Sequence, residues 1–171
     1  MWKNGIRAVI ALDTICSVFC NLMQITISTT VNEHFLAVKK GFNQDLFSSL
    51  SPPFPPVKLL RFDGSQKGDI VSLELNFLFF KQIWTSEIIE DHTSESEFYF
   101  VDKGIKLPFF LGNWQHKHRL IDRGTSKTEI RDEIHYQGSN WFLTPLLYPA
   151  LYLQFLYRKP IYRRIFSGKS H

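Results

Sequence analysis

The chain has 171 residues, 44% hydrophobic and 21% charged, the balance of a single globular domain and too apolar for a disordered one. Both cysteines, Cys16 and Cys20, precede residue 21, which excludes a disulfide framework or a cysteine-based metal site in the body of the chain. The net charge of +4 is a tail property: Arg158, Lys159, Arg163, Arg164 and Lys169 put +5 into residues 156–171, so the remainder sums to −1 and offers no nucleic acid a basic surface.

Residues 1–22 read as an N-terminal extension or leader, with the domain proper spanning 23–168. The apolar run from Ala8 to Cys20 is interrupted by Asp13 and lacks an A-x-A cleavage site. A first strand opens after Met23, with Ile25, Ile27, Thr29 and Val31 on one face. Phe35, Val38, Phe42, Leu46, Phe47 and Leu50 then recur at helical spacing, broken at Gly41, and predict two short helices. Ser51-Pro52-Pro53-Phe54-Pro55-Pro56 ends them as a rigid polyproline connector. Strands follow over Val57–Asp63 and Asp69–Phe80, the second with Val71, Leu73, Leu75, Phe77 and Phe79 on one face. Trp84, Ser86 and Ile88 mark the next strand, and Phe98 and Phe100 another. Gly104 to Gly112 reads as a link. The last segment, rich in Leu and Tyr from Leu146 to Ile161, predicts a long helix that Pro149 and Pro160 should kink or break, at about 3 kcal/mol each in a helix interior.

The most informative stretch lies before that helix. N-W-Q-H-K-H-R-L puts Trp114, His116, His118 and Leu120 on one face of a strand. T-E-I-R-D-E-I-H-Y puts Thr128, Ile130, Asp132, Ile134 and Tyr136 on one face of its neighbour. Two histidines, an aspartate and a tyrosine thus point inward, where an unpaired polar group costs roughly 2–7 kcal/mol. Such a face either networks its polar groups or lines a cavity. A three-residue hairpin loop around Gly124 would set His116 opposite Asp132 and Trp114 opposite Ile134. A carboxylate beside an imidazole can raise its pKa and fix its tautomer, as a general base needs, or can serve as a structural hydrogen bond. Only Asp132 could join the two histidines around a metal, so no metal is expected. No nucleotide, nucleophile-elbow or cofactor fingerprint occurs, and no cofactor is expected.

W-x-S-x-I (Trp84 to Ile88), F-x-F (Phe98 to Phe100), P-F-x-x-x-x-W-x-H-x-H (Pro108 to His118), T-x-I-x-D-x-I-x-Y (Thr128 to Tyr136) and F-x-Y-R (Phe155 to Arg158) resemble, in order and spacing, the START/SRPBCC superfamily. The match is closest to its polyketide cyclase/dehydrase-like branch and covers about residues 24–166. The resemblance implies an α+β helix-grip fold, a curved antiparallel sheet of six to seven strands around a long C-terminal helix. It also implies a hydrophobic cavity for a lipid-, polyketide- or isoprenoid-like ligand. Trp84, Phe98, Phe100, Trp114, Leu147, Leu151 and Phe155 would form its walls, and His116, His118, Asp132 and Tyr136 would orient a polar group. A ligand binder of the cytoplasm is the preferred reading. A cyclase or dehydratase with His116 as base, Asp132 as its orienter and Tyr136 as acid is the alternative. A third reading is transient membrane-surface contact through the basic, aromatic C-terminus.

Overall fold

A computed structural model describes residues 22–167. The extension expected over residues 1–22 lies, except for Leu22, outside the described residues. The order is strand, two short helices, six strands and a long helix: β1 (Met23–Val31), α1 (Phe35–Gly41), α2 (Gln44–Ser49), β2 (Val57–Phe62), β3 (Ile70–Asn76), β4 (Lys81–Thr93), β5 (Glu97–Lys106), β6 (Leu111–Asp122), β7 (Thr128–Gly138) and α3 (Leu143–Ile165). The strands form one curved antiparallel sheet in the order β1-β7-β6-β5-β4-β3-β2. Consecutive hairpins build β2 to β7, and β1 closes onto β7 at the far edge. The curvature has local causes, since the ladder shifts register within β2–β3, twice within β4–β5, and at Leu111/Asn113 beside β7. This is the helix-grip architecture.

Alternation decides which residues face inward. Ile25, Ile27, Thr29 and Val31 are all buried, with exposed residues between them. The short helices start at side-chain caps: His34 Nδ1 accepts from Leu36 N–H, and Asn43 Oδ1 accepts from the N–H groups of Asp45 and Leu46. Two apolar clusters fill the concave side. One gathers Phe35, Val38, Leu46, Phe98, Leu120, Ile130 and the end of α3 at Ile161, Tyr162 and Phe166. The other gathers Ile25, Ile27, Trp114, Ile134, Tyr136, Leu151 and Phe155. The start of α3 is tied to the end of β7. Tyr136 Oη donates to the Thr144 carbonyl at 3.0 Å, and Gly138 N–H donates to Thr144 Oγ1 at 3.1 Å. A Cβ at Gly138 would lie 2.6 Å from Thr144 N, so only glycine allows this approach.

Four expectations are corrected. The β6–β7 loop is five residues, because Asp122 pairs with Thr128 and the Arg123 N–H donates to the Lys127 carbonyl. Trp114 therefore faces Tyr136, His116 faces Ile134 and His118 faces Asp132. The strand expected to reach Phe80 stops at Asn76, which pairs with Lys81. Phe77 to Phe80 turn back, with Leu78 at φ 61°, so Phe79 stands 95% exposed rather than on the face of Val71, Leu73 and Leu75, and Leu78 is 76% exposed beside it. Phe54–Pro55 is a cis bond and Pro53 to Pro55 bend, in place of a straight polyproline rod. Finally, α3 runs unbroken for 23 residues through Pro149 and Pro160. Leu151, Phe155, Ile161 and Tyr162 are buried along it, and full burial of such side chains contributes roughly 1.5–3 kcal/mol each, enough to offset the two missing N–H donors.

Candidate binding cavity and its buried polar chain

Between the concave face of β2 to β6, the second short helix and α3 lies a cavity of about 760 Å³. Trp84, Phe100, Trp114, Leu147, Leu151 and Phe155 line it, as do His116 and His118. The indoles of Trp84 and Trp114 meet edge to face at 4.6 Å. Walls also come from Phe42, Leu46 and Phe47 of the helical segment, from Pro52 to Pro55, and from Val71, Leu73 and Leu75 of β3. Phe54 and Phe109 reach the surface at its rim, 60% and 64% exposed.

Three residues expected at the cavity do not line it. Phe98 is packed in the cluster behind α1, with the Lys39 ammonium 5.0 Å from its ring centre. Tyr136 is fully buried on the helix anchor described above, and burial pushes its phenol up to about 12. Its hydroxyl is committed to a backbone carbonyl and does not line the cavity, unlike the position expected of an acid. Asp132 lies behind the two histidines, in contact with both.

The polar residues form one connected chain between the two apolar clusters. Along β6, Trp114 belongs to one cluster and Leu120 to the other, with His116 and His118 between them. His116 Nε2 and Asp132 Oδ1 are 3.0 Å apart, a bond that crosses the ladder diagonally. His116 Nδ1 lies 3.2 Å from Asp102 Oδ2, and Trp114 Nε1 donates to Asp102 Oδ1 at 3.0 Å. His118 Nδ1 sits 2.9 Å from Asp132 Oδ1, yet off line for a hydrogen bond, and is left without one.

Burial alone would push Asp102 and Asp132 up and His116 down. The hydrogen bonds and charges between them outweigh it, so both carboxyls are held below their ordinary range and His116 above its own. Two carboxylates thus flank His116 and favour its imidazolium form. His118 goes the other way: burial, then the His116 charge, push it down to about 4, against the pull of Asp132. At neutral pH, His118 is an uncharged imidazole on the cavity wall.

Asp102, on β5, was not singled out from the sequence, and Arg158, on α3, was noted only as the end of F-x-Y-R and as part of the basic tail, not as a site residue. Each nonetheless follows the spacing of residues that were. Phe98, Phe100 and Asp102 alternate on one strand, and Leu147, Leu151, Phe155 and Arg158 follow a helical stripe. Asp102, His116 and His118 each bring a donor atom within 4.8 Å of the other two. A divalent cation could bridge them only if His116 gave up its proton between the two carboxylates.

No family model matches this chain. Among curated proteins, human kallistatin is 24% identical over 117 residues, 67% of this chain but 23% of kallistatin. The chain thus spans less than a quarter of that protein's length, and the match carries no family assignment. Solved structures carry the fold. The Zhui aromatase/cyclase from Streptomyces superposes with a TM-score of 0.64 at 13% identity, covering 81% of this chain and 90% of that one. Protein Ms6760 from Mycobacterium smegmatis gives 0.58 at 14% identity, over 83% and 89%. Norcoclaurine synthase from Thalictrum flavum, in complex with dopamine and hydroxybenzaldehyde, gives 0.57 at 14% identity, over 100% and 97%.

Proposed function

We propose that this chain, which has the helix-grip fold of the START/SRPBCC superfamily, binds and carries a small, largely apolar molecule with one polar end. A lipid-, polyketide- or isoprenoid-like ligand would suit it. The observation that carries this reading is the cavity of about 760 Å³ whose aromatic and aliphatic wall is interrupted by the convergent groups Asp102, His116 and His118. Small-molecule sites are of this size, mostly apolar, with a few placed polar groups. A fold neighbour holding dopamine and hydroxybenzaldehyde supports the use of this fold to bind small molecules.

Leu73→Glu tests the reading. Leu73 is half-buried on the cavity wall, so a carboxylate there spoils an apolar surface at modest cost in stability. Binding of the neutral fluorophore N-phenyl-1-naphthylamine should weaken at least about tenfold, the ~1.4 kcal/mol equivalent of losing part of one buried side chain's transfer energy. Thr26→Glu, on the exposed face of β1, should leave it unchanged. Equal effects would place the probe outside the cavity.

In the alternative reading, a cyclase or dehydratase, the base passes from His116 to His118. Both His116 nitrogens are engaged by carboxylates, whereas His118 is neutral and on the wall.

Carriage also requires a route in, and the rim supplies a surface for one. Leu78, Phe79, Phe80 and Phe109 are exposed beside it, and Phe80 and Phe109 pack at 5.8 Å. A lipid surface is the partner that suits such a tip. No helix among the described residues is long and apolar enough to cross a membrane. Leu78→Ser with Phe79→Ser should weaken co-sedimentation with phosphatidylglycerol vesicles about tenfold or more, and the wild-type binding should survive high salt. Binding abolished by salt and unmoved by the tip substitutions would assign the contact to the basic C-terminus instead.

A further inference from the structure

The cavity wall has one permanent cation. Among the described residues that line it, Arg158 is the sole lysine or arginine, and no described carboxylate lies within ion-pair distance of its guanidinium. Its guanidinium carbon lies over the Phe155 ring, 4.2 Å from the ring centre. Its Nε is buried and lacks a hydrogen-bond partner. The side chain is half-buried, so water reaches part of the fork, but the Nε–H has given up its water without gaining a bond, a loss that an acceptor on a ligand would make good.

Two further buried polar atoms at this end make no well-formed hydrogen bond, His118 Nδ1 beside Asp132 and Tyr162 Oη beside Arg158. Tyr162 is 1% exposed and lies one helical turn beyond Arg158. The Arg158 charge is felt at both groups, lowering His118 and opposing the upward push of burial on Tyr162. The acids that could have neutralised Arg158 are engaged elsewhere. Asp102 is held by Trp114 and His116, and Asp132 by His116. Gln154, one turn earlier on α3, lines the same wall with a neutral amide.

Resting on the reading of the cavity as a binding site, we propose that its ligand is an amphipathic acid, with its carboxylate received by the Arg158 fork and its apolar body lying along the Trp84–Trp114 wall. The planar fork of an arginine matches a carboxylate two bonds at a time, and charge-assisted bonds of this kind are roughly twice as strong as neutral ones. A carboxylate needs no proton removed or added to bind there. An ester or amide of the same body fills the same apolar volume without answering the charge, so the site discriminates on the head group.

The test uses 11-(dansylamino)undecanoic acid and its methyl ester, titrated by fluorescence into the whole chain. The acid should bind at least about tenfold more tightly than the ester. In Arg158→Gln the two should bind within about twofold, through loss of the acid's affinity. Arg158→Lys, which keeps the charge without the fork, should fall between. N-phenyl-1-naphthylamine, being uncharged, should bind all three proteins alike, which also shows that the variants are folded. An ester that binds as well as the acid to the wild type, or a preference that survives in Arg158→Gln, overturns the proposal. If both dansyl compounds are refused while the neutral probe binds, the proposal fails alone; if that probe is refused too, the cavity reading falls with it.

Discussion

Asp132→Ala is expected to lower the melting temperature by roughly 10 °C. Asp132 is 2% exposed and holds a charged His116 at 3.0 Å. Removing one member of a buried pair leaves the other charge uncompensated, at about 3–5 kcal/mol, and each kcal/mol moves the midpoint of a chain this size by about 2–4 °C. Asp102 on the other side of His116 brings the expectation toward the lower end. Glu133→Ala on the adjacent outward position, where the glutamate pairs with the part-exposed Arg119, should cost no more than about 1 kcal/mol. The two substitutions remove one carboxylate each, one residue apart, so their contrast reads burial directly. A His116→Ala/Asp132→Ala cycle should show losses well short of additive. Equal melting of Asp132→Ala and Glu133→Ala would mean that the polar layer between the two clusters is not a bonded network.

Acidification from pH 6.5 to pH 4 is expected to cost on the order of 3 kcal/mol through His118 alone. The folded chain holds this imidazole down at about 4, while the unfolded chain titrates it near its ordinary value of about 6.5. Between those values the unfolded state binds a proton that the folded state refuses, so stability falls as pH falls. His116 has the opposite sign. Its folded value is raised, so its contribution is complete below about 6.5 and fades as pH rises through that folded value. Asp102 and Asp132 are held low; their contribution is present above about 4 and is lost below it. His118→Phe should therefore flatten the acid limb between pH 6.5 and 4. Phe42 and Phe100 already pack against that ring at 6.2 and 4.7 Å and would accept a phenyl. His116→Asn should instead remove the alkaline decline. Urea unfolding across the pH series measures both, and an acid limb unchanged in His118→Phe would contradict the neutral buried imidazole.

What could be read from the sequence followed from which patterns tolerate error. The inward faces of β6 and β7 were legible although the register was not: a five-residue loop in place of three slides the pairing by two positions, and a slide of two leaves every side chain on its face. The His116–Asp132 contact survives that slide as a diagonal bond. Asp102 was passed over because Gly104 made the end of β5 look like a link, while the bulges on the β4 side hid the strand's length. Continuing the alternation of Phe98 and Phe100 by one step would have found it. Arg158 was absorbed into the basic tail, though it lies three residues after Phe155 on the same stripe. The turn at Phe77 to Phe80 gave little warning, since Asn76 is the only turn former in N-F-L-F-F-K and it stands before the turn, at the end of the strand. The prolines of α3 were judged by local cost, whereas packing on both sides of them decided the matter. Hydrogen-bond partners such as Thr144 for Tyr136 depend on how a helix end meets a strand end, which no strand pattern encodes.

The claim on which the rest depends is that the cavity is occupied by a small, largely apolar molecule. Native mass spectrometry of the chain purified from cells, run beside Leu73→Glu, tests it most directly. The account predicts a wild-type species heavier than the bare polypeptide by the mass of one small molecule, released on gentle activation, and a Leu73→Glu species at the bare mass. A wild type at the bare mass that also fails to bind N-phenyl-1-naphthylamine, or an adduct that persists unchanged in Leu73→Glu, would contradict it.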